Sequence, residues 1–184
     1  MKVTVAIICA NTPLIASLTK DLLERNFEVR AADFSEQPSW LLPEMKVSWT
    51  KLTVDNFTLL EELLSQVDCV FFLPHQSKVT EGFFGENHQN IMLLLTHWVA
   101  RYSSQMKVKK IIYLSSMIDK ENAKRSIFYG RFEMENILKD SQVPTMAVRL
   151  PILLMNGSES FELIKKILKT FPLMILPTWI EKQV

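Results

Sequence analysis

Lys2-Val3-Thr4-Val5-Ala6-Ile7-Ile8, followed by Cys9-Ala10-Asn11-Thr12-Pro13, decides how this chain folds. The run from Lys2 has the β-branched, apolar pattern of a buried strand. The next five residues lead into a helical stretch from Leu14 to Arg25, and a second strand, Phe27 to Ala32, ends at Asp33. Strand, loop, helix and strand in this order open a βαβ unit. In such units a phosphate-binding loop after the first strand reads GxGxxG or a close variant. Here no glycine occurs before Gly82. The position of a dinucleotide loop is present without the residues that build it.

Outward from this segment, short apolar strands alternate with helical patterns. A third strand fits Lys46 to Thr50. Asp55 reads as the cap of a helix whose Leu59, Leu60, Leu63, Leu64 and Val67 recur at helical spacing. Asp68 to Leu73 is a near-continuous apolar run, as a parallel strand covered on both faces requires. The stretch Glu86 to Ser104 has helical length, with Ile91, Leu94, Leu95, Trp98 and Val99 as its buried stripe. Val108 to Ser115 is a fifth strand, Ser126 to Ser141 a helix, and Thr145 to Leu150 a sixth strand. A last amphipathic helix runs from Ser158 to Thr170, with Phe161, Ile164, Ile167 and Leu168 inward. The alternation predicts an α/β protein: a doubly wound parallel sheet in the Rossmann order 3-2-1-4-5-6, helices on both faces. Ile7, Val29, Val70, Ile112 and Val148 are expected in its buried layer.

The 184 residues suffice for one domain with a proper core. A composition 48% hydrophobic and 22% charged belongs to ordinary globular proteins. The formal charge of +1 gives no reason to expect a nucleic-acid partner or an acidic membrane surface. Average usage would give about 13 glycines, and the chain has 4. Cys9 and Cys69 fall in predicted buried strands and read as reduced core thiols. No Cys/His cluster has metal-ligand spacing, and His75, His88 and His97 do not share a helix face, so no metal is expected. Pro172 and Pro177 break the apolar stretch Phe171 to Ile180, which is too short to span a bilayer. The start of the chain carries no secretory pattern, and a cytoplasmic location is expected.

Three segments resemble a known family. Val67-Asp68-Cys69-Val70-Phe71-Phe72-Leu73-Pro74 resembles the fourth-strand "VDAVFFLP" of NmrA-like, atypical short-chain dehydrogenase/reductase proteins. Val108-Lys109-Lys110-Ile111-Ile112-Tyr113-Leu114-Ser115-Ser116 resembles their "VKRIVYLSS". Val143 through Arg149 to Asn156 is similar to their "LPYTILRPGxFxxN", with Arg149 and Asn156 in register. The resemblance covers residues 1–156 and implies a nicotinamide-dinucleotide fold serving as a reductase or as a cofactor-sensing regulator. It divides the chain into a dinucleotide-binding-type domain, 1–156, and a C-terminal helix and tail, 157–184, a remnant of a substrate lobe that is absent or truncated.

In register with the family's GATGxxG, the glycine positions hold Cys9, Thr12 and Ile15. The first glycine allows a tight turn, the second lets phosphate approach the backbone, and the third lets helix and strand pack closely. β-Branched residues obstruct the last two. Asn11-Thr12-Pro13 reads instead as a helix start with Thr12 as N-cap and Pro13 at the first helical position. The Thr12 hydroxyl would then hold an N–H that otherwise faces a phosphate, so that a Thr12→Gly, Ile15→Gly double change should improve dinucleotide affinity. The family's adenine-side Asp falls on Lys51. Asp33 stands where related proteins place the acid that binds the adenosine ribose; the alternative is a solvated strand-end carboxylate. If a nucleotide binds, the resemblance puts Asp33 at the ribose, backbone groups of Asn11, Thr12, Pro13 and Leu14 at the phosphates, and Leu73, Pro74 and His75 with Ser115 towards the far end.

Redox relatives use a Ser after the fifth strand and a Tyr–Lys pair in which the lysine lowers the phenol pKa. Ser115 and Ser116 are in place. With Glu135 matched to the family's helix glutamate, the pair positions hold Ile127 and Arg131. With Tyr129 taken as the tyrosine, the lysine position is Glu133, whose charge would raise the phenol pKa. Ser115, Tyr129 and Arg131 are therefore weak catalytic candidates. The expected function is a non-catalytic regulator, sensor or scaffold, a pseudoenzyme with NAD or NADP binding weakened or lost. The alternatives are an NAD(P)-dependent reductase or epimerase with an atypical loop, and a module for another nucleotide or acyl ligand in the same crevice. A homodimer or protein partner is expected through the two helices flanking the fifth strand, with Trp98, Tyr102, Phe128 and Phe132 as large apolar groups.

Overall fold

The alternation of apolar strands and helices produces one parallel sheet. The computed structural model describes residues 2–74, 88–116, 129–150 and 159–170. Its strands are β1 (Thr4–Ile8), β2 (Glu28–Asp33), β3 (Ser48–Lys51), β4 (Cys69–Phe72), β5 (Lys110–Ser116) and β6 (Thr145–Leu150). Its helices are α1 (Pro13–Glu24), α2 (Leu59–Leu64), α3 (His88–Gln105), α4 (Tyr129–Asp140) and α5 (Glu159–Thr170). The strands lie in the order β3-β2-β1-β4-β5-β6, every pair parallel. This is the predicted order, and β1 is central. The chain divides into two units, Met1–Pro151 and Ile152–Val184, with α5 in the second.

Register fixes which residues share a face. Ile7 pairs with Ala31 on one side and Phe71 on the other; Phe71 pairs with Ile112, and Ile112 with Met146. Because side chains alternate along a strand, Ala6, Ile8, Val70, Phe72, Ile111 and Tyr113 point to the opposite face. On the first face, Ile15 and Leu22 of α1 pack with Val5, Ile7, Val29 and Ala31. On the second, Leu60, Leu64, Leu95, Val99 and Leu138 of α2, α3 and α4 close the larger cluster. Each fully buried Ile or Leu here is worth about 1.5–3 kcal/mol, so β1 and its neighbours anchor the domain.

Coverage departs from expectation at several places. Ile112 and Val148 are half-buried, not core. They lie on the face that α1 covers over β1 and β2; farther out, at β6, Met146 is 46% exposed. In α3 the buried stripe runs through Ile91, Leu95 and Val99 in four-residue steps, which turns it away from Leu94, 44% exposed. Asp55 is not a helix cap. The helix begins after Thr58, whose N–H donates to Asn56 Oδ1 at 3.1 Å. In α5, Ile164, Ile167 and Leu168 are 36%, 37% and 54% exposed.

At the N-terminal edge of the sheet, Asp68 ties three strands. Its carboxylate accepts from Lys109 Nζ at 2.7 Å and from the Thr4 N–H at 2.9 Å, and these two bonds hold its pKa below the usual value. The opposite edge, where the strands end, carries the candidate site.

Candidate functional site

In an open parallel sheet, ligands bind beyond the carboxyl ends of the strands, where the order reverses. Here that point lies between β1 and β4. Around it stand the β1–α1 turn, Asp33 at the end of β2, and Leu73 and Pro74 after β4. Leu73 donates its N–H to Ile8 O at 3.1 Å, which extends the pairing of β4 beyond its last strand residue. Ser115 is on β5, at the same end of the sheet. Asn11, Thr12, Pro13, Leu14, Asp33, Leu73, Pro74 and Ser115 thus share one edge. His75 and the side chain of Tyr129 lie outside the described residues, as do Phe128 and Asn156.

At the first glycine position of the motif the turn has a glycine-like backbone conformation without a glycine. Cys9 has φ 63°, in the left-handed region where a Cβ is strained. It is also 2% exposed and packed in the core. Cys9→Gly should relieve the strain while emptying a small volume, two effects of about 1 kcal/mol with opposite sign. We therefore expect Cys9→Gly to leave stability nearly unchanged and Cys9→Val, β-branched at the same φ, to lose about 3 kcal/mol. Urea melts would check this, and equal losses in both variants would contradict it.

Thr12 is the N-cap, with extended φ −134° and ψ 154°, and Pro13 opens the helix. Both positions are as predicted. The predicted side-chain bond is not made: the Thr12 hydroxyl is buried and has no hydrogen-bond partner among the described residues. The first turn closes through the backbone instead, since Ile15 N and Ala16 N both donate to Thr12 O, at 3.0 and 3.3 Å. Ile15 is 0% exposed and belongs to the core between α1 and the sheet.

Asp33 is only 1% exposed, so it is not a solvated strand-end carboxylate. Its Oδ2 accepts the Asn11 N–H at 3.1 Å and its Oδ1 the Ser35 N–H at 2.9 Å. The Asn11 side-chain amide in turn donates to Ser35 Oγ at 2.8 Å. Two further donors of the turn are committed: Ala10 N to Ala32 O, and Thr12 N to Ala10 O, each at 3.1 Å. Pro13 has no N–H. Sequence reasoning missed Ser35, although Asp33-Phe34-Ser35 has the spacing at which an Asp side chain bonds the backbone two residues on.

Beside β5 a second polar cluster forms. Tyr113 is fully buried and donates its hydroxyl proton to Arg131 O at 3.0 Å. Burial pushes its pKa up to about 12, against the opposing Arg131 charge and a hydrogen bond with Ser115; the Glu135 charge adds to the rise. Ser115 is itself 7% exposed. Tyr113 is not among the sequence candidates; its phenol is buried and bonded to a backbone carbonyl near Ser115, while the side chain of the candidate Tyr129 lies outside the described residues. Glu135, 2% exposed, receives hydrogen bonds from Lys139 and, at 2.7 Å, from Arg149 of β6. Burial raises its pKa, but these two bonds and charges outweigh that and hold it below the ordinary carboxylate range. The start of α4 approaches α3 closely: a Cβ on Gly130 would stand 2.5 Å from Gln89 Nε2. Among the described residues no group of His, Cys, Asp and Glu could hold a metal, and no helix is long and apolar enough to cross a membrane.

No protein-family model matches the chain, and no curated protein matches it in sequence. Solved structures do match in fold. WbmH of Bordetella bronchiseptica, solved with NAD+, superposes with a TM-score of 0.72 at 14% identity, covering 92% of this chain and 63% of WbmH. Pen from Bacillus thuringiensis gives 0.71 at 19% identity, over 92% and 57%. NmrA, a negative transcriptional regulator solved with NADP, gives 0.62 at 17% identity, over 80% and 45%. The chain thus has the Rossmann-like fold of NAD(P)-binding proteins that include both enzymes and a regulator. It spans about half to two thirds of the length of these neighbours.

Proposed function

We propose that this chain is a non-catalytic Rossmann domain, a regulator, sensor or scaffold in which dinucleotide binding is weakened or lost. The observation that carries the reading is the turn after β1, where the Asn11 N–H is bound to Asp33 and the N–H groups of Ala10, Thr12, Ile15 and Ala16 to backbone oxygens. A diphosphate needs such N–H groups free at a helix N-terminus. Thr12 and Ile15 add side chains where a close backbone approach requires glycine. The residues present do not fit a dinucleotide's phosphates in this conformation. The sequence adds to this reading, because neither register of the family's Tyr–Lys pair supplies a lysine to lower a phenol pKa: the pair positions hold Ile127 and Arg131, or Tyr129 and Glu133. On this reading residues 1–156 are the dinucleotide-type domain, and a homodimer or other protein partner supplies the mode of action in the cytoplasm.

A second reading has two observations in its favour: fold neighbours were solved with NAD and NADP, and Ser115 stands next to the last residue of β5. It makes the chain an NAD(P)-dependent reductase or epimerase. Titrating NADH and NADPH by tryptophan-to-nicotinamide energy transfer separates the two. We expect dissociation constants of about 1 mM or weaker, near −4 kcal/mol, and no carbonyl or alcohol turnover, with light scattering on the same samples reporting any second copy. Micromolar binding together with turnover that vanishes in Ser115→Ala would establish the second reading.

A further inference from the structure

We infer that Asp33 is an internal stand-in for a ligand's anion, holding the β1–α1 turn shut, so that removing its charge strengthens nucleotide binding. The inference rests on the reading of this turn as a weakened dinucleotide site, and it reverses the sign expected of an acid that grips a ribose.

A carboxylate taken out of water must receive hydrogen bonds or be neutralised. Asp33, 1% exposed, accepts the Asn11 and Ser35 N–H groups, one on each oxygen. Such charge-assisted bonds are about twice as strong as neutral ones. The Asn11 amide closes the ring by reaching Ser35 Oγ at 2.8 Å. Residues before α1 and after β2 are thereby joined across the edge where a nucleotide would enter. The base of this ring is fixed too, by Ala10 N to Ala32 O at 3.1 Å and Leu52 N to Asp33 O at 2.7 Å. An incoming phosphate or ribose finds the Asn11 donor taken and a fixed negative charge behind it. Binding then requires an open turn, and the apparent dissociation constant rises by the reciprocal of the open fraction.

Asp33→Asn removes the charge, keeps the shape, and leaves an oxygen for one of the two N–H groups while the new amide faces the other. The full chain carrying this change, its fold checked by circular dichroism, should show amide exchange at Asn11 and Ser35 about tenfold faster than the parent. Its affinity for ADP and for NADH should rise by about five- to tenfold. Ser35→Ala, which cuts only the side-chain arm, should shift both quantities in the same direction by about twofold. Weaker binding in Asp33→Asn would assign the acid to the ribose and overturn the inference. Unchanged exchange would overturn the closure, and faster exchange without tighter binding would overturn its inhibitory role. Micromolar binding of NADH by the parent would instead strike the proposed function, whatever the variants do.

Discussion

Ile15→Gly is expected to cost this protein about 4–5 kcal/mol instead of restoring a dinucleotide loop. Ile15 occupies the third glycine position of the motif, yet it is 0% exposed and packs with Val5, Ile7, Leu22 and Val29 between α1 and the sheet. Emptying such a site costs about 2–5 kcal/mol for Ile to Ala, and glycine inside a helix adds about 1 kcal/mol. For a chain of this length the loss lowers the melting temperature by roughly 10–15 °C. Thr12→Gly is the opposite case. The N-cap tolerates glycine at a few tenths of a kcal/mol, and its hydroxyl makes no bond among the described residues that would be lost. The double change suggested by the motif alone therefore confounds binding with unfolding, and Thr12→Gly alone is the sound probe of the loop. Urea melts of the two single variants test this; a loss below about 2 kcal/mol for Ile15→Gly would mean that α1 can settle onto the sheet without it.

Fold was legible because parallel strands covered on both sides read as apolar runs that no helix period explains. Six such runs separated by helical stretches leave few topologies. Coverage was less legible. Ile112 and Val148 look like Ile7 in sequence, but Ile7 packs in the cluster under α1 while the other two are half-buried. Leu94 fits a helical stripe on paper and falls outside it once four-residue steps rotate the buried line. At the site, sequence located the edge and the substituted glycines but not what the polar groups do there. An aspartate at the end of β2 is compatible with binding a ribose, with solvation, and with bonding its own loop. Its 1% exposure and two N–H partners are three-dimensional facts. Cys9 is the reverse lesson: its left-handed φ was implied by the glycine it replaces, because the turn is set by the strands on either side and not by the residue alone.

Arg149→Met should lose about 2–3 kcal/mol at pH 7, and the loss should shrink as the pH falls. Arg149 reaches from β6 to Glu135, whose side chain is 3% exposed, and Lys139 holds the same carboxylate oxygen. Stranding a buried charge entirely costs about 3–5 kcal/mol. The smaller figure reflects the lysine that remains and the solvent already reaching Arg149, 41% exposed. The sign of the pH effect follows from linkage. In the parent, Glu135 has its folded pKa below the unfolded one, so its stabilisation is complete above the unfolded pKa and is lost as pH falls through the folded one. In the variant, burial keeps one of its opponents and loses the other, the carboxyl becomes easier to protonate, and acid no longer penalises folding as it does in the parent. Stability curves for the two proteins should therefore converge below the ordinary carboxylate pKa, about 4.3. A gap that stays constant from neutral to acid pH would assign the loss to the packed stem of Arg149 and not to its charge. Since Glu135 ties α4 to β6 through Arg149, and its charge acts on Tyr113, the same variant reports whether the polar cluster at β5 is held in place by that ion pair.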